Sequence, residues 1–334
     1  MPLSVICGGQ WGDEGKGKVI SYLALKDKPS IVARAGVGTN AGHTIQFQGK
    51  EYKLRMIPSG FINPDSRLVI GAGVLVDPVV LFKEMKETKS VCGVDYQCGI
   101  IEDKHKEIDS TDTHLKNKIG STGSGTGPAN QDRAMRTLKV AREIPELEPY
   151  LTDVSFEINE ALDQGKAVQA EGSQAIFLSL FHGSYPYVTS KDTSAAAICS
   201  DIGVGPTKVD EVIVVLKSYI TRVGTGELPG ELSLEEIQKR GWVEYGAVTG
   251  RPRRAAPFNY DLAKKAVRLN GATQIALTKL DIIYPEISKS NNIYQIKGDV
   301  AEFIDSIEES TRTKVSIVGT GPSAEDIIDL RETI

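Results

Sequence analysis

The 334-residue chain has no long apolar run: its strongest, residues 212–216 (VIVVL), falls far short of the roughly 20 residues a helix needs to cross a bilayer. No membrane helix is expected. The N-terminus has no basic segment leading into an apolar stretch and a cleavage site, because Met1, Pro2 and Leu3 open directly into strand-like sequence. A cytoplasmic protein is the expectation. Cysteine is scarce, with only Cys7, Cys92, Cys98 and Cys199 and no C-x-x-C pair, which points to reduced structural thiols. The four histidines, His43, His105, His114 and His182, lack helical ligand spacing, so zinc is not expected either. Nor is there an excess of positive charge. The balance of 39 Lys and Arg against 44 Asp and Glu, a net charge of −5, disfavours a general nucleic-acid surface. The length suits one large α/β domain or two smaller ones, and because no fixed-period repeat, low-complexity tract or convincing linker interrupts the sequence, residues 1–334 are read as a single α/β domain.

Glycine is moderately abundant, at 33 residues, and concentrates where strands run out. Residues 4–7 read as a short buried strand, followed by GGQWGDEGKGK at 8–18 and a helical pattern at 19–25. Such a loop turns tightly and points successive N–H groups into one concavity, while the helix adds the positive end of its dipole; nucleotide phosphates suit that site. Gly12-x-x-x-x-Gly17-Lys18 keeps the first seven positions of the P-loop spacing, with Val19 where a metal-ligating Ser or Thr would stand. The metal ligand must then come from elsewhere. Asp13 is the nearest carboxylate.

A second strand at 30–33 ends in RAGVGTNAGHT at 34–44. Loops leaving the carboxyl ends of parallel strands collect on one edge of the sheet, so the two glycine-rich loops are expected side by side. His43, flanked by small residues in the second loop, is a candidate for acid–base work. Strands are read at 52–57, 67–70, 167–170, 210–217, 274–277 and 314–318. Helices are read at 78–86 behind an Asp77 N-cap, at 153–164, 234–240, 261–269 and 300–310, and in a last segment capped by Ser323. Residues 89–118 are mixed and polar and read as strands with a surface loop. GSTGSGTGP at 120–128 is a loop suited to an oxyanion, followed by a helix whose i,i+3 spacing puts Arg133, Arg136 and Lys139 on one face. Residues 185–190 (YPYVTS) read as a stiff turn, and Arg251, Arg253 and Arg254 cluster locally. The alternating order predicts an α/β fold: a large, mostly parallel central sheet with helices on both faces and a P-loop-like nucleotide site.

Residues 10–18, QWGDEGKGK, closely resemble the signature of the adenylosuccinate synthetase family, whose members join IMP to aspartate at the expense of GTP. Further blocks extend the resemblance in order along nearly the whole chain: NAGHT at 40–44, residues 120–129, EGSQ at 171–174, residues 185–190, TGRPRR at 249–254, TKLD at 278–281 and GTGP at 319–322. Any one block is an ordinary turn; the ordered set is specific.

The resemblance implies a ligase that passes the GTP γ-phosphoryl to the purine oxygen, giving 6-phosphoryl-IMP, and then displaces phosphate with the aspartate amine. That is the first committed step from IMP towards AMP. It implies Asp13 as general base at IMP N1 and His43 as acid towards O6. Around IMP it places Asp13, Glu14, Gly15, Lys16, Asn40, Ala41, Gly42 and His43, with Thr122, Gln174, Thr189 and Arg251. The partner subunit's Arg136 would reach the IMP phosphate, hence a homodimer. For GTP it implies Gly12, Asp13, Glu14, Gly15, Lys16, Gly17 and Lys18, then Gly42, His43, Thr44 and Arg253. The base would lie against Lys279, Leu280, Asp281, Gly319, Thr320 and Gly321, with the Asp281 carboxylate accepting from guanine N1–H and the 2-amino group. The aspartate loop is Ala247, Val248, Thr249, Gly250, Arg251, Pro252 and Arg253. One magnesium ion per site is implied, held by Asp13 and the Gly42 carbonyl.

Four departures accompany the resemblance. Ser124 stands where many relatives carry arginine, Gly319 replaces a serine, Val248 replaces a threonine, and residues 255–258 (AAPF) replace a Gly-Trp. The chain is also shorter than many members and reads as a compact form. Two other classes compete with the ligase. A GTPase switch would use the same cradle but leave His43, Gln174, Thr189 and the arginine loop without a use. A nucleic-acid module built on Arg251, Arg253 and Arg254 conflicts with the acidic balance.

Overall fold

A computed structural model describes residues 2–246 and 250–333. The first half supplies strands β1 (Leu3–Gly8), β2 (Ile31–Arg34), β3 (His43–Phe47), β4 (Lys50–Leu54), β5 (Arg67–Ile70), β6 (Leu75–Val76), β7 (Cys92–Asp95), β8 (Gly99–Ile100), β9 (Leu151–Thr152) and β10 (Val168–Glu171). The second half supplies β11 (Glu211–Lys217), β12 (Tyr219–Arg222), β13 (Arg254–Pro257), β14 (Gln274–Thr278), β15 (Val315–Gly319) and β16 (Ile327–Asp329). Between them run helices α1 (Lys16–Asp27), α2 (Pro78–Thr88), α3 (Asp103–Thr111), α4 (Thr126–Met135), α5 (Val154–Asp163), α6 (Ala195–Ile202), α7 (Leu234–Lys239), α8 (Tyr260–Asn270), α9 (Leu280–Ile283) and α10 (Asp299–Thr311).

Alternation along the buried strands sets the layers. In β1, Leu3, Val5 and Cys7 face one apolar cluster and Ile6 the other; in β11, Val212, Val214 and Leu216 face the first and Ile213 and Val215 the second. Successive side chains point to opposite faces, so a strand apolar at every position has to be covered on both sides. Helices α5, α6, α8 and α10 cover the first face through Ile158, Ile198, Val267 and Ile304, and α1 and α2 cover the second through Val19, Leu23 and Leu81. Each such side chain contributes about 1.5–3 kcal/mol on full burial, and a one-residue slip would exchange the faces of a whole strand.

The main sheet has ten strands in the order β16-β15-β14-β11-β1-β10-β2-β5-β7-β9, parallel throughout except for β15 with β16. The predicted architecture is therefore the observed one. The chain builds outwards from β1 through β2, β5, β7 and β9, returns to insert β10 beside β1, and then builds outwards on the other side. Strand order reverses at β1, and the crevice outside the carboxyl ends of strands at such a point is where open α/β sheets bind ligands. Asp77 caps α2 as expected, accepting from the N–H groups of Val79 (3.1 Å) and Val80 (3.4 Å).

Several local expectations are corrected. The apolar pattern at 52–57 is not one strand: β3 and β4 form an antiparallel hairpin closed by Gln48 (φ 49°) and Gly49 (φ 74°), a two-residue turn with both angles positive. Residues 55–57 are held instead by Glu84 of α2, whose buried carboxylate accepts their three N–H groups at 2.8, 2.9 and 3.0 Å. His43 therefore opens a strand rather than lying in a loop. Helix α4 begins at Thr126, inside the stretch read as loop, and ends at Met135; Arg136 is its left-handed cap (φ 63°). Arg133, Arg136 and Lys139 do not share a helix face. The polar segment 89–118 contains α3 and leads into a π-helical turn (His114–Ile119) beside its short strands. Ser323 caps no helix, because the chain folds back there as β16.

Candidate active site

The loop after β1 delivers its chain into α1 at Lys16, three residues before the apolar pattern begins. Much of the cradle's polar inventory is used within the protein. The buried Glu14 carboxylate accepts from the N–H groups of Gln10 (3.0 Å) and half-buried Gly12 (2.8 Å) and pairs with buried Lys16 Nζ at 2.9 Å. Lys18 Nζ donates to the carbonyls of Gly321 (2.6 Å) and Asp326 (2.7 Å). Both ammoniums are thus engaged within the protein. The start of α1 still offers the free N–H groups of a helix N-terminus. At Gly17 a Cβ would lie 3.0 Å from His43 Cβ, so glycine permits the close approach that sets the two loops side by side, as expected.

His43 is buried against groups far away in the chain. Its Nδ1 contacts the Glu171 carboxylate and lies 2.8 Å from Arg34 Nη1 and 3.2 Å from Ser59 Oγ. Glu171 also pairs with Arg34 Nη1 at 2.5 Å and accepts from Ser59 N (2.5 Å) and Ser59 Oγ (2.7 Å). Burial, reinforced by the Arg34 cation and opposed by Glu171, lowers the imidazole pKa to about 4. Glu171 is held down at about 2, its burial overcome by Arg34 and His43. A carboxylate so acidic stays ionised and accepts a hydrogen bond from Nδ1–H, which leaves Nε2, 3.3 Å from Arg34 Nη1, as the position whose protonation can change.

A cavity of about 360 Å³ opens beside this pair, within the usual size range for small-molecule sites. Gly12, Asp13, Asn40, Ala41, Gly42 and His43 line it, joined by Thr122, Gln174, Thr189 and Arg251. Ten expected residues from six segments thus meet at one place. Asn40 Nδ2 donates to Thr189 Oγ1 at 3.2 Å, and Arg251 donates to the carbonyls of Gly120 (2.9 Å) and Ser121 (3.1 Å). Trp11 Nε1, Asp13 Oδ2, Asn40 Oδ1, Asp109 Oδ1 and Gln174 Oε1 are buried without a hydrogen-bond partner, and all five residues line this cavity. Buried polar atoms are almost always satisfied, because leaving one unpaired costs about 1–3 kcal/mol. Such a concentration around one cavity calls for a polar ligand.

Asp13 faces an arginine. Its Oδ1 lies 2.7 Å from Arg253 Nη2, and Arg253 in turn pairs with Glu244, which also binds Lys217 Nζ (3.2 Å) and the Tyr219 hydroxyl. Burial raises the Asp13 pKa, countered by Arg253 and Lys217. On the other side of the phosphate-binding turn, the ends of β14 and β15 bring together Lys279, Leu280 and Asp281 with Gly319, Thr320 and Gly321. Asp281 Oδ1 is buried and unpartnered, and burial raises this carboxyl too, with Lys18 opposing.

Other expected residues lie apart from the cavity. Arg136 is exposed and does not line it, and Thr44 points outwards on β3. Of the aspartate loop, Gly250, Arg251, Pro252 and Arg253 are described, with Gly246 N donating to Arg251 O (2.9 Å); Ala247, Val248 and Thr249 lie outside the described residues. Sequence patterns gave no role to Arg34, Glu171, Glu244, Asp109 or Arg222. The one available signal was a charged residue closing an apolar strand, as at Arg34, Glu171 and Arg222, all about 1% exposed or less.

A glycine-rich strand-to-helix turn and a cavity lined by a carboxylate and an imidazole share one crevice at the switch point of a parallel sheet, the arrangement of an α/β nucleotide-site enzyme. The family model of adenylosuccinate synthetase matches residues 5–144 and 137–299. The chain is 53% identical over 339 residues to adenylosuccinate synthetase of Thermococcus sibiricus, covering 100% of both, and 56% identical over 336 residues to that of Methanococcus aeolicus, covering 99% and 100%. A solved structure of fully ligated adenylosuccinate synthetase from Plasmodium falciparum matches with a TM-score of 0.91 at 27% identity, over 98% of this chain and 100% of that one. The cyanophage S-2L succinoaminodeoxyadenylate synthetase bound to dGMP and dATP shares the fold at 24% identity and a TM-score of 0.79 over 98% and 95%. The chain belongs to the adenylosuccinate synthetase family, enzymes that form a carbon–nitrogen bond.

Proposed function

We propose that the chain ligates IMP and L-aspartate to adenylosuccinate, consuming GTP and releasing GDP and phosphate through 6-phosphoryl-IMP. The observation that carries this reading is the convergence of five unpartnered buried polar groups on the cavity that holds Asp13 and His43. Asp13 takes the N1 proton of IMP, and O6 gains the electron density to attack the γ-phosphorus as the bond to the β,γ-bridging oxygen breaks towards GDP. The aspartate amine then attacks C6, phosphate leaves with the C–O electron pair, and the amine sheds a proton. His43 Nε2 meets O6, and Glu171 supports the second ring proton when the substrates' negative charge raises the imidazole's proton affinity. Gln174, Asn40, Thr189 and Thr122 orient IMP, and Arg251 and Arg253 offer guanidinium forks to carboxylate and phosphate.

Asp13 Oδ2, buried and unpaired, fits a metal ligand, and magnesium characteristically takes one or two carboxylates together with substrate phosphates. Asp13, with the Gly42 carbonyl, would hold one magnesium ion per site, which when bound neutralises charge on the transferring phosphoryl group. Arg253 would have to leave Asp13 Oδ1 and turn towards the nucleotide. We place the protein in the cytoplasm as a single catalytic unit that works as a homodimer. The test is an assay with GTP, IMP, aspartate and magnesium, each omitted in turn. Adenylosuccinate should form only in the complete mixture, and GTP hydrolysis indifferent to IMP and aspartate would overturn the reading.

Two substitutions probe its parts. Asp281→Asn replaces an acceptor with a mixed group, so the GTP-over-ATP ratio in kcat/KM should fall about 10²-fold or more; an unchanged ratio removes the assignment. Arg136→Leu should raise the IMP KM about tenfold, as expected for a lost charge-assisted contact, with kcat little changed. Because the reading gives it to the neighbouring site, mixing this variant with Asp13→Asn should bring back activity with the wild-type IMP KM; no such low-KM fraction would count against shared sites.

A further inference from the structure

We propose that Lys18 is a positioning residue for purine-base recognition, tying the 319–321 loop to the phosphate-binding turn rather than binding phosphate itself. The inference rests on the reading that residues 279–281 and 319–321 hold the GTP base. Lys18 lies in the first turn of α1 and is only 7% exposed. Two of its three ammonium donors are committed, to Gly321 O at 2.6 Å and Asp326 O at 2.7 Å, across 303 and 308 residues of chain. Swinging the ammonium towards the phosphates would break two short charge-assisted bonds and leave main-chain acceptors unpaired, so in place it has at most its third donor to offer.

The surroundings fit a clamp. At Gly319 a Cβ would stand 3.1 Å from Lys18 Nζ and 3.3 Å from Thr278 Cα, so the end of β15 runs directly against the ammonium and the end of β14. The turn that follows is anchored on its outer side to the β3 hairpin through Ala324 N to Gln46 O (2.8 Å), and its own geometry is kept by Thr320 N to Asp326 O (2.9 Å). A third anchor is Thr320 Oγ1 to Ser290 O at 2.7 Å. Lys18 supplies the attachment to the phosphate-binding side. Burial pulls the ammonium's pKa down to about 8; of the charges facing it, Asp326 and Asp281 oppose the fall and Lys279 adds to it. The base-binding wall and the phosphate-binding turn are thereby held as one body before a nucleotide arrives, which removes an ordering cost from base binding.

The experiment compares wild type, Lys18→Met and Thr320→Val, the last loosening the same turn from another side. Three quantities are read: the GTP dissociation constant, the GTP-over-ATP ratio in kcat/KM, and the inhibition constant of inorganic tripolyphosphate, which has the phosphate chain without a base. The clamp requires that Lys18→Met weaken GTP about tenfold or more and lower the GTP-over-ATP ratio similarly, as expected for losing charged hydrogen bonds, while tripolyphosphate stays within about twofold. Thr320→Val should repeat the pattern more weakly. Parallel weakening of tripolyphosphate and GTP with the ratio preserved would make Lys18 a phosphate ligand and overturn the proposal. If Lys18→Met does not fold, Thr320→Val decides, and an unchanged ratio there overturns it. A wild-type protein with no preference for GTP would instead sink the underlying base-site reading, a failure visible before any substitution.

Discussion

Asp13→Asn is expected to lower kcat by about 10²–10⁴-fold, the range associated with a positioned general base, while the protein folds and still binds IMP. The substitution keeps the shape of the side chain but removes the lone pair that takes the N1 proton and the charge facing Arg253. Stability should not suffer at neutral pH, and the sign follows from the raised pKa. Burial lifts the Asp13 carboxyl above its unfolded value, so as pH climbs through that window the unfolded chain ionises first and the ionised form weighs against the folded state. Replacing it by a neutral amide removes that penalty, and Arg253 keeps Glu244 as partner. Near-normal turnover in Asp13→Asn at pH 7 would remove the residue from the chemistry.

Glu171→Gln is the second large effect, and it separates catalysis from packing. The amide would still fill the space, but Arg34 would lose its paired charge at 2.5 Å and His43 its Nδ1 carboxylate partner. Removing one member of a buried pair costs about 3–5 kcal/mol, so Tm should drop by several degrees. Independently of stability, kcat measured well below Tm should fall about 10²-fold, because Nε2 can no longer be protonated at low cost. His43→Asn should lower kcat comparably, and the double variant should be little worse than either single one, as residues acting as a unit are non-additive. Additive losses would mean that Glu171 serves the fold alone. His43 has its own stability signature: its pKa falls from 6.5 to about 4 on folding. As pH drops through that window the unfolded chain binds a proton that the folded one refuses, and stability declines. His43→Asn should flatten that decline.

Elements whose signals lie within a few residues could be read directly from the chain. The glycine-rich loop between β1 and α1, the Asp77 cap and the doubly apolar strands β1 and β11 are local statements of backbone geometry and burial, and the structure contains each of them. The polar stretch holding α3 was harder, because that helix has little apolar periodicity and starts on a Glu102 and His105 cap. The end of α4 was misjudged because Arg136 adopts a left-handed conformation that is rare outside glycine. The lysines of the glycine-rich turn show what local pattern leaves open: Glu14 engages one of them and two distant carbonyls the other, pairings that only the folded chain creates.

By itself, the order of residues determined the family, the sheet's parallel character and the segments that meet at its carboxyl edge, since motif spacing and strand alternation act over short range. Only the tertiary structure decided what each charged side chain faces. Glu171 reaches Arg34 across 137 residues, and Lys18 reaches Gly321 across 303. Such pairings depend on strand order and on the exclusion of water between packed layers. Those two things turn ordinary side chains into an imidazole held neutral, a carboxyl with a raised pKa and a lysine committed to backbone.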